Sequence, residues 1–114
     1  MIKNEDQLSS EITKTVNSNK LLIVKFYADW CITCNKLERV VFSNKAVNEA
    51  LKETLTSTLD VTDNNRFNQS MLARFSLVGP PALLFFKNGL EQRSYRIIGE
   101  ISTEELVEHL NNLR

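Results

Sequence analysis

Long apolar runs are missing from this sequence. The longest, Leu21–Val24 and Ala82–Phe86, fall far short of the roughly 20 residues that cross a bilayer, so direct membrane insertion of this chain is not expected. The opening Met-Ile-Lys-Asn-Glu-Asp-Gln holds no apolar signal core, and the chain as written carries no targeting signal. An excess of one charge is missing too. Lysine plus arginine, 14 in all, cancel 14 aspartates plus glutamates, which removes the electrostatic reason to expect nucleic acid or an anionic surface as partner. There is no internal repeat, linker or low-complexity tract, and 114 residues fit one domain, 1–114, with a core of its own. Scarcest of all are the metal-binding and cross-linking residues: two cysteines and one histidine. A disulfide scaffold needs more cysteines spread along the chain. A zinc site wants four ligands, and beyond the cysteines only His109 is a further soft donor. No metal and no resident cofactor are therefore expected, and His109 reads as a partly exposed helix residue without a role.

The elements that can be read are strands alternating with helices. Asn4 caps a first helix running to about Ser18, with Leu8, Ile12 and Val16 at helical spacing, and Ile2–Lys3 looks like the stump of a strand before it. Leu21–Tyr27 is a branched and aromatic run typical of a buried strand. A helix follows that contains Cys34, Leu37, Val40 and Val41, with Cys31 in its first turn, and Ser43 caps a short continuation through Leu51. Thr54–Val61 is a second strand, and Met71, Leu72 and Phe75 mark a third helix. Gly79-Pro80-Pro81 breaks the chain before the strand Ala82–Lys87. Asn88-Gly89 then signals a hairpin whose return runs over Gln92–Ile98. Ser102 with Glu105 forms a capping box for a last helix burying Leu106, Val107, Leu110 and Leu113. The pattern demands an α/β architecture with a central mixed β-sheet flanked by helices on both faces.

The chemistry sits in the two cysteines, which stand at C-x-x-C spacing across a strand-to-helix junction. So short a loop adds little stability, so the pair is placed for reactivity. At the start of a helix, free N–H groups and the helix dipole favour a thiolate, which makes Cys31 the attacking sulfur. Cys34, one turn further and on the same side, is placed to attack a mixed disulfide and release product.

Tyr27-Ala28-Asp29-Trp30-Cys31-Ile32-Thr33-Cys34, followed by Leu77-Val78-Gly79-Pro80-Pro81-Ala82-Leu83-Leu84-Phe85-Phe86, resembles the thioredoxin superfamily over nearly the whole chain. With Lys36-Leu37-Glu38 and Val41-Phe42-Ser43, it more narrowly resembles the C-terminal soluble domain of DsbD-type thiol:disulfide interchange proteins. The resemblance implies a thioredoxin fold and a redox-active disulfide between Cys31 and Cys34. It further implies a monomeric domain on the periplasmic side of the bacterial inner membrane, as part of a larger protein. Such a domain takes electrons from a membrane-embedded donor domain and passes them to an N-terminal periplasmic domain, or to other thioredoxin-fold proteins. Disulfide isomerases and cytochrome c maturation proteins lie downstream. Pro81 takes the place of the family's cis-proline beside the disulfide, although an ordinary turn proline would also suit Gly-Pro-Pro. Trp30 covers the active-site rim or simply packs.

Two positions depart from the resemblance. Six residues before Cys31, where the family usually has an acid, stands Lys25; Pro80 lacks the backbone N–H that its position usually offers to an incoming peptide. Lys25 lies in an otherwise apolar strand, and Glu38 lies one turn beyond Cys34. Either the two pair beneath the active site, with Glu38 still able to handle the proton of Cys34, or Lys25 snorkels to the surface and Glu38 is merely solvated. Three functions fit: an electron-relay reductase, a stand-alone thioredoxin-like reductase, and a redox-inert binding module. Intact Cys31, Cys34 and Pro81 argue against the last.

Overall fold

The run Leu21–Tyr27 forms strand β1 at the centre of the sheet, and its first four residues are all buried. In the computed structural model, which describes residues 1–113, β1 is preceded by α1 (Glu5–Thr13). It is followed by α2 (Ile32–Lys36), a π-helical turn (Leu37–Val41), α3 (Lys45–Ala50) and β2 (Leu55–Asp60). Then come α4 (Arg66–Arg74), β3 (Ala82–Lys87), β4 (Leu90–Glu91), a 3-10 turn (Arg93–Tyr95), β5 (Ile97–Ile98) and α5 (Thr103–Leu113). Strand β1 pairs in parallel with β2 and antiparallel with β3, and β4 and β5 both pair antiparallel with β3. The sheet is mixed, as its pattern demands.

Strict alternation along β1 and β3 sorts the core into two layers. Leu22, Val24 and Phe26, with Ala82, Leu84 and Phe86, face Leu8 of α1 and Met71 and Phe75 around α4. Leu21 and Ile23, with Leu83 and Phe85, face Leu37 and Val41 of the π turn, Val47 of α3, and Leu106 and Leu110 of α5. Lys25 shares the parity of Leu21 and Ile23, which aims it under the helix that carries Cys34.

Several boundaries depart from the sequence pattern for identifiable reasons. Helix α1 ends at Thr13 rather than near Ser18. Asn17 and Asn19 take left-handed backbone conformations (φ 62° and 57°) that no helix continues through, which leaves Val16 45% exposed. The stump at Ile2 forms no strand, yet Ile2 is buried and donates its N–H to Thr58 of β2 at 2.8 Å. Cys31 is the N-cap of α2 rather than part of its first turn. The π turn, closed by Phe42 N–H to Leu37 C=O at 2.9 Å, buries Leu37 and Val41 and leaves Val40 exposed. Asn44, not Ser43, caps α3 by accepting from Ala46 and Val47. The capping box of Ser102 and Glu105 is reciprocal, 3.1 Å each way, and those bonds from Ser102 hold the Glu105 carboxyl below its ordinary value.

The return strand is the largest departure. Gln92–Ile98 is interrupted by the 3-10 turn, so that Glu91 lies opposite Phe86 but Ile97 only opposite Leu83. The side chains around this bulge explain it. Tyr95 leaves the ladder to pack edge-on against His109, whose Nε2 lies 2.6 Å from the Tyr95 carbonyl oxygen. His109 also packs at a tilt against Phe85, so it has a packing role after all. Arg96 turns inward and binds Glu91 through two nitrogens (2.5 and 2.9 Å), while a third donates to the Phe75 carbonyl at 2.7 Å. Both charged side chains are largely buried, and the bonds to Glu91 raise the Arg96 pKa above its ordinary value. Replacing one partner strands the other charge. Arg96→Met is expected to cost about 3 kcal/mol, read as a lower denaturation midpoint at unchanged slope in urea.

Candidate active site

The site grows from the end of β1. Tyr27 is the last residue of the ladder, opposite Asp60; Ala28 is fully buried, and Asp29 and Trp30 turn the chain so that Cys31 caps α2. Cys31 and Cys34 form a disulfide. The Cys34 N–H points at Cys31 Sγ, 3.1 Å away, and the Cys31 N–H is bound to the Ala28 carbonyl at 3.2 Å. One sulfur thus already receives a helix N–H, the interaction that favours a thiolate there. Both cysteines are shielded, Cys31 with 8% of its surface exposed and Cys34 with 2%. Cys31 keeps slightly more accessible surface than Cys34, although both are buried in the disulfide form.

Pro81 lies beside this pair. The Pro80–Pro81 peptide bond is cis, and Pro81 lines a water-sized cavity of about 10 Å³ together with Cys34, Lys25, Leu37, Glu38 and Phe42. The same cavity settles how Lys25 is arranged. Its Nζ sits 2.9 Å from Glu38 Oε1 and 4.3 Å from the centroid of the Phe42 ring, with only 13% of the lysine side chain exposed against 40% of Glu38. The ammonium is therefore paired rather than snorkelled, with the glutamate at the wet edge. A second, outer cleft lined by Met1, Lys25, Tyr27, Glu38 and Thr58 leads from the pair to the surface.

Large apolar side chains are exposed on the segments that carry the disulfide and the cis-proline. Trp30 is 59% exposed, and Ile32 and Val78 are more open still. The Trp30 ring is held from one side only, its Nε1–H donating to the Thr62 carbonyl at 3.1 Å, so it belongs to the rim and not to the core. His109 is engaged by Tyr95 and Phe85, and no group of three or more potential ligands is gathered among the described residues.

Sequence reasoning missed the polar frame of this site. Thr62 accepts the Asp29 N–H at 2.9 Å and is itself held by Asp60, to which it donates both its N–H and its hydroxyl. Asn35 joins Tyr27 and Asp29. No spacing rule marks these residues. Only the placement of Tyr27 at a strand end and of Asn35 four residues after Cys31 could have hinted at them.

The thioredoxin family model matches residues 2–112. The chain belongs to the thioredoxin family. Within it, the chain is 33% identical to the thiol:disulfide interchange protein DsbD of Pseudomonas sp. (strain JR1 / K1) over 99% of its own length and 20% of that protein. It is 36% identical to DsbD 1 of Pseudomonas aeruginosa over 91% of its length and 18% of that protein's. It thus spans about a fifth of the length of these relatives. Among solved structures, the C-terminal domain of Neisseria meningitidis DsbD in its reduced form superimposes with a TM-score of 0.84 at 23% identity, covering 100% of both chains. A Thermus thermophilus thioredoxin gives 0.75 at 19% identity, over 91% of this chain and 81% of the other. The fold is the thioredoxin fold, and among the described residues no helix is long and apolar enough to cross a membrane.

Proposed function

We propose that this thioredoxin-fold domain is a thiol–disulfide oxidoreductase of the DsbD C-terminal type. In this reading it is a relay that receives two electrons from a membrane-embedded donor domain. It hands them to thioredoxin-fold partners on the periplasmic side of the inner membrane. The observation that carries the reading is the Cys31–Cys34 disulfide at a helix N-terminus with Pro81 beside it.

Starting from the dithiol, the Cys31 thiolate attacks one sulfur of the partner's disulfide. A Cys31–partner S–S bond forms, and the partner's second sulfur leaves as a thiolate. Cys34 then loses its proton and attacks Cys31 Sγ, closing the internal disulfide and expelling the partner's first sulfur. Two electrons have passed to the partner, whose two sulfurs leave as thiolates and take their protons from solvent. Glu38, across the small cavity from Cys34, takes the Cys34 proton and delivers it through the outer cleft to solvent. Lys25 offsets the charge of Glu38, so the carboxylate does not oppose thiolate formation nearby. Trp30 and the Pro80–Pro81 corner receive the partner's chain, and Pro80 offers it a carbonyl but no N–H.

Two experiments test this reading. Cys34→Ser should trap a mixed disulfide with a disulfide-bonded thioredoxin-fold protein, seen as a mass adduct, and Cys31→Ser should trap none; the reverse pattern would exchange the two roles. A reduction potential as oxidising as that of a dedicated oxidant would rule out a reductase. For the ion pair, Lys25→Asp should raise the pKa of Cys31, followed by thiolate absorbance against pH, because a cation that favours the anion is replaced by an anion that opposes it. An unchanged titration would remove Lys25 from the chemistry.

A further inference from the structure

Opening the disulfide removes the covalent cross-link between the two sulfurs, and leaves the backbone and its hydrogen bonds to hold the loop that leads into Cys31 against the helix that carries Cys34. The side chain of Asn35 adds a second set of bonds across the same junction. Its Nδ2 donates to the Asp29 carbonyl at 3.0 Å, and its Oδ1 accepts from the Tyr27 hydroxyl at 3.0 Å. Since a backbone carbonyl can only accept, the orientation of the amide is fixed by its partners. An aspartate could not donate, and an aliphatic side chain could do neither. The Asn35 N–H is also bound to the Cys31 carbonyl at 3.1 Å, as an ordinary helical bond. On its opposite flank the same loop is held by Thr62, through the Asp29 N–H and the Trp30 indole, but Thr62 follows β2 and has no link to the Cys34 helix. The Asn35 side chain ties the last residue of β1 and the loop before the nucleophile to the helix that carries Cys34.

We propose that Asn35 is a positioning residue. It holds Cys34 against the Cys31 loop while the disulfide is open, and so sets the effective concentration at which Cys34 resolves a Cys31 mixed disulfide. The inference rests on the exchange reading above. In the step concerned, the Cys34 thiolate bonds to Cys31 Sγ, the Cys31–partner S–S bond breaks, and its electron pair leaves on the partner's sulfur. The rate of such an intramolecular step depends on how well the two sulfurs are held in line. The outward attack of Cys31 on a partner does not need Asn35.

Glutathione serves as the test partner. Its equilibrium with the Cys31–Cys34 pair reads the effective concentration, and rapid quenching reads the lifetime of the Cys31–glutathione adduct. Asn35→Ala should lower the equilibrium constant for ring closure roughly three- to tenfold, the loss of about one hydrogen bond, and lengthen the adduct lifetime by a similar factor. The rate at which Cys31 first attacks oxidised glutathione should stay unchanged. Tyr27→Phe, which removes only the outer bond, should change closure less than Asn35→Ala does. Asn35→Asp, nearly isosteric, covers an alanine variant that does not fold; it loses the donor and should slow closure likewise, measured at high salt to screen its added charge. A folded Asn35→Ala or Asn35→Asp with a lowered denaturation midpoint but wild-type ring closure would show a merely structural side chain and overturn the proposal. A wild-type chain that fails to exchange with glutathione at all would overturn the exchange reading beneath it.

Discussion

The structure depends on the double pairing of β1. Six residues of this strand are paired with β2 and six with β3, and Leu22, Ile23 and Val24 are wholly buried between the two helical layers. Each such side chain contributes about 1.5–3 kcal/mol by leaving water, and a slip of one residue would turn all of them to the wrong layer. The register is therefore rigid, and it decides where chemistry can occur. Because Phe26 lies opposite Ala82, the residue before Ala82 arrives beside the turn that follows Tyr27. That is how Pro81 comes to share a cavity with Cys34, although the two are far apart along the chain.

Charge inside this frame is handled in two ways. Arg96 and Glu91 form a bidentate pair closed off from water, with a third guanidinium bond to a backbone carbonyl. The result is a fixed structural joint that fastens the edge of the sheet to the end of α4. Lys25 is instead shared between a carboxylate and an aromatic face, and its carboxylate partner stays partly wet. A pair with one solvated member can exchange protons with its surroundings, which a sealed pair does far less readily. The two arrangements suit their places, one at the rim of the sheet and one beneath the disulfide.

Elements whose identity rests on local pattern were legible in the sequence. The apolar runs of β1 and β3, the Asn88-Gly89 turn with both residues at positive φ, the Ser102–Glu105 box and the C-x-x-C junction are all written in neighbouring residues. What could not be read depends on partners distant in sequence. Tyr95 breaks the return strand because His109 of α5, itself packed against Phe85 of β3, awaits it. Val40 turns outward because the helix widens to a π turn to seat both Leu37 and Val41. At the site, the cysteines and the prolines carried their own signal, and the lysine was legible as an anomaly in an apolar run. Asn35 and Thr62 carried none, since a single amide or hydroxyl acquires meaning only from the carbonyl or N–H that the fold sets opposite it.

The buried hydroxyl of Thr15 has a consequence for how the molecule comes into being. It donates to the Ile12 carbonyl and accepts the N–H of Gly89 at 2.8 Å, which fastens the segment after α1 to the tip of the β3–β4 hairpin. The fit there is close, for a Cβ on Gly89 would stand 2.9 Å from the Val16 side chain. A nascent chain emerging from the ribosome can form α1 early, but it must wait for most of the domain to be made before this seam can close. The same holds for β1, whose partner β3 is synthesised long after it. The amino-terminal third of the domain therefore leaves the exit tunnel with its central strand unpaired on both edges, the condition in which a growing chain most needs a chaperone's cover.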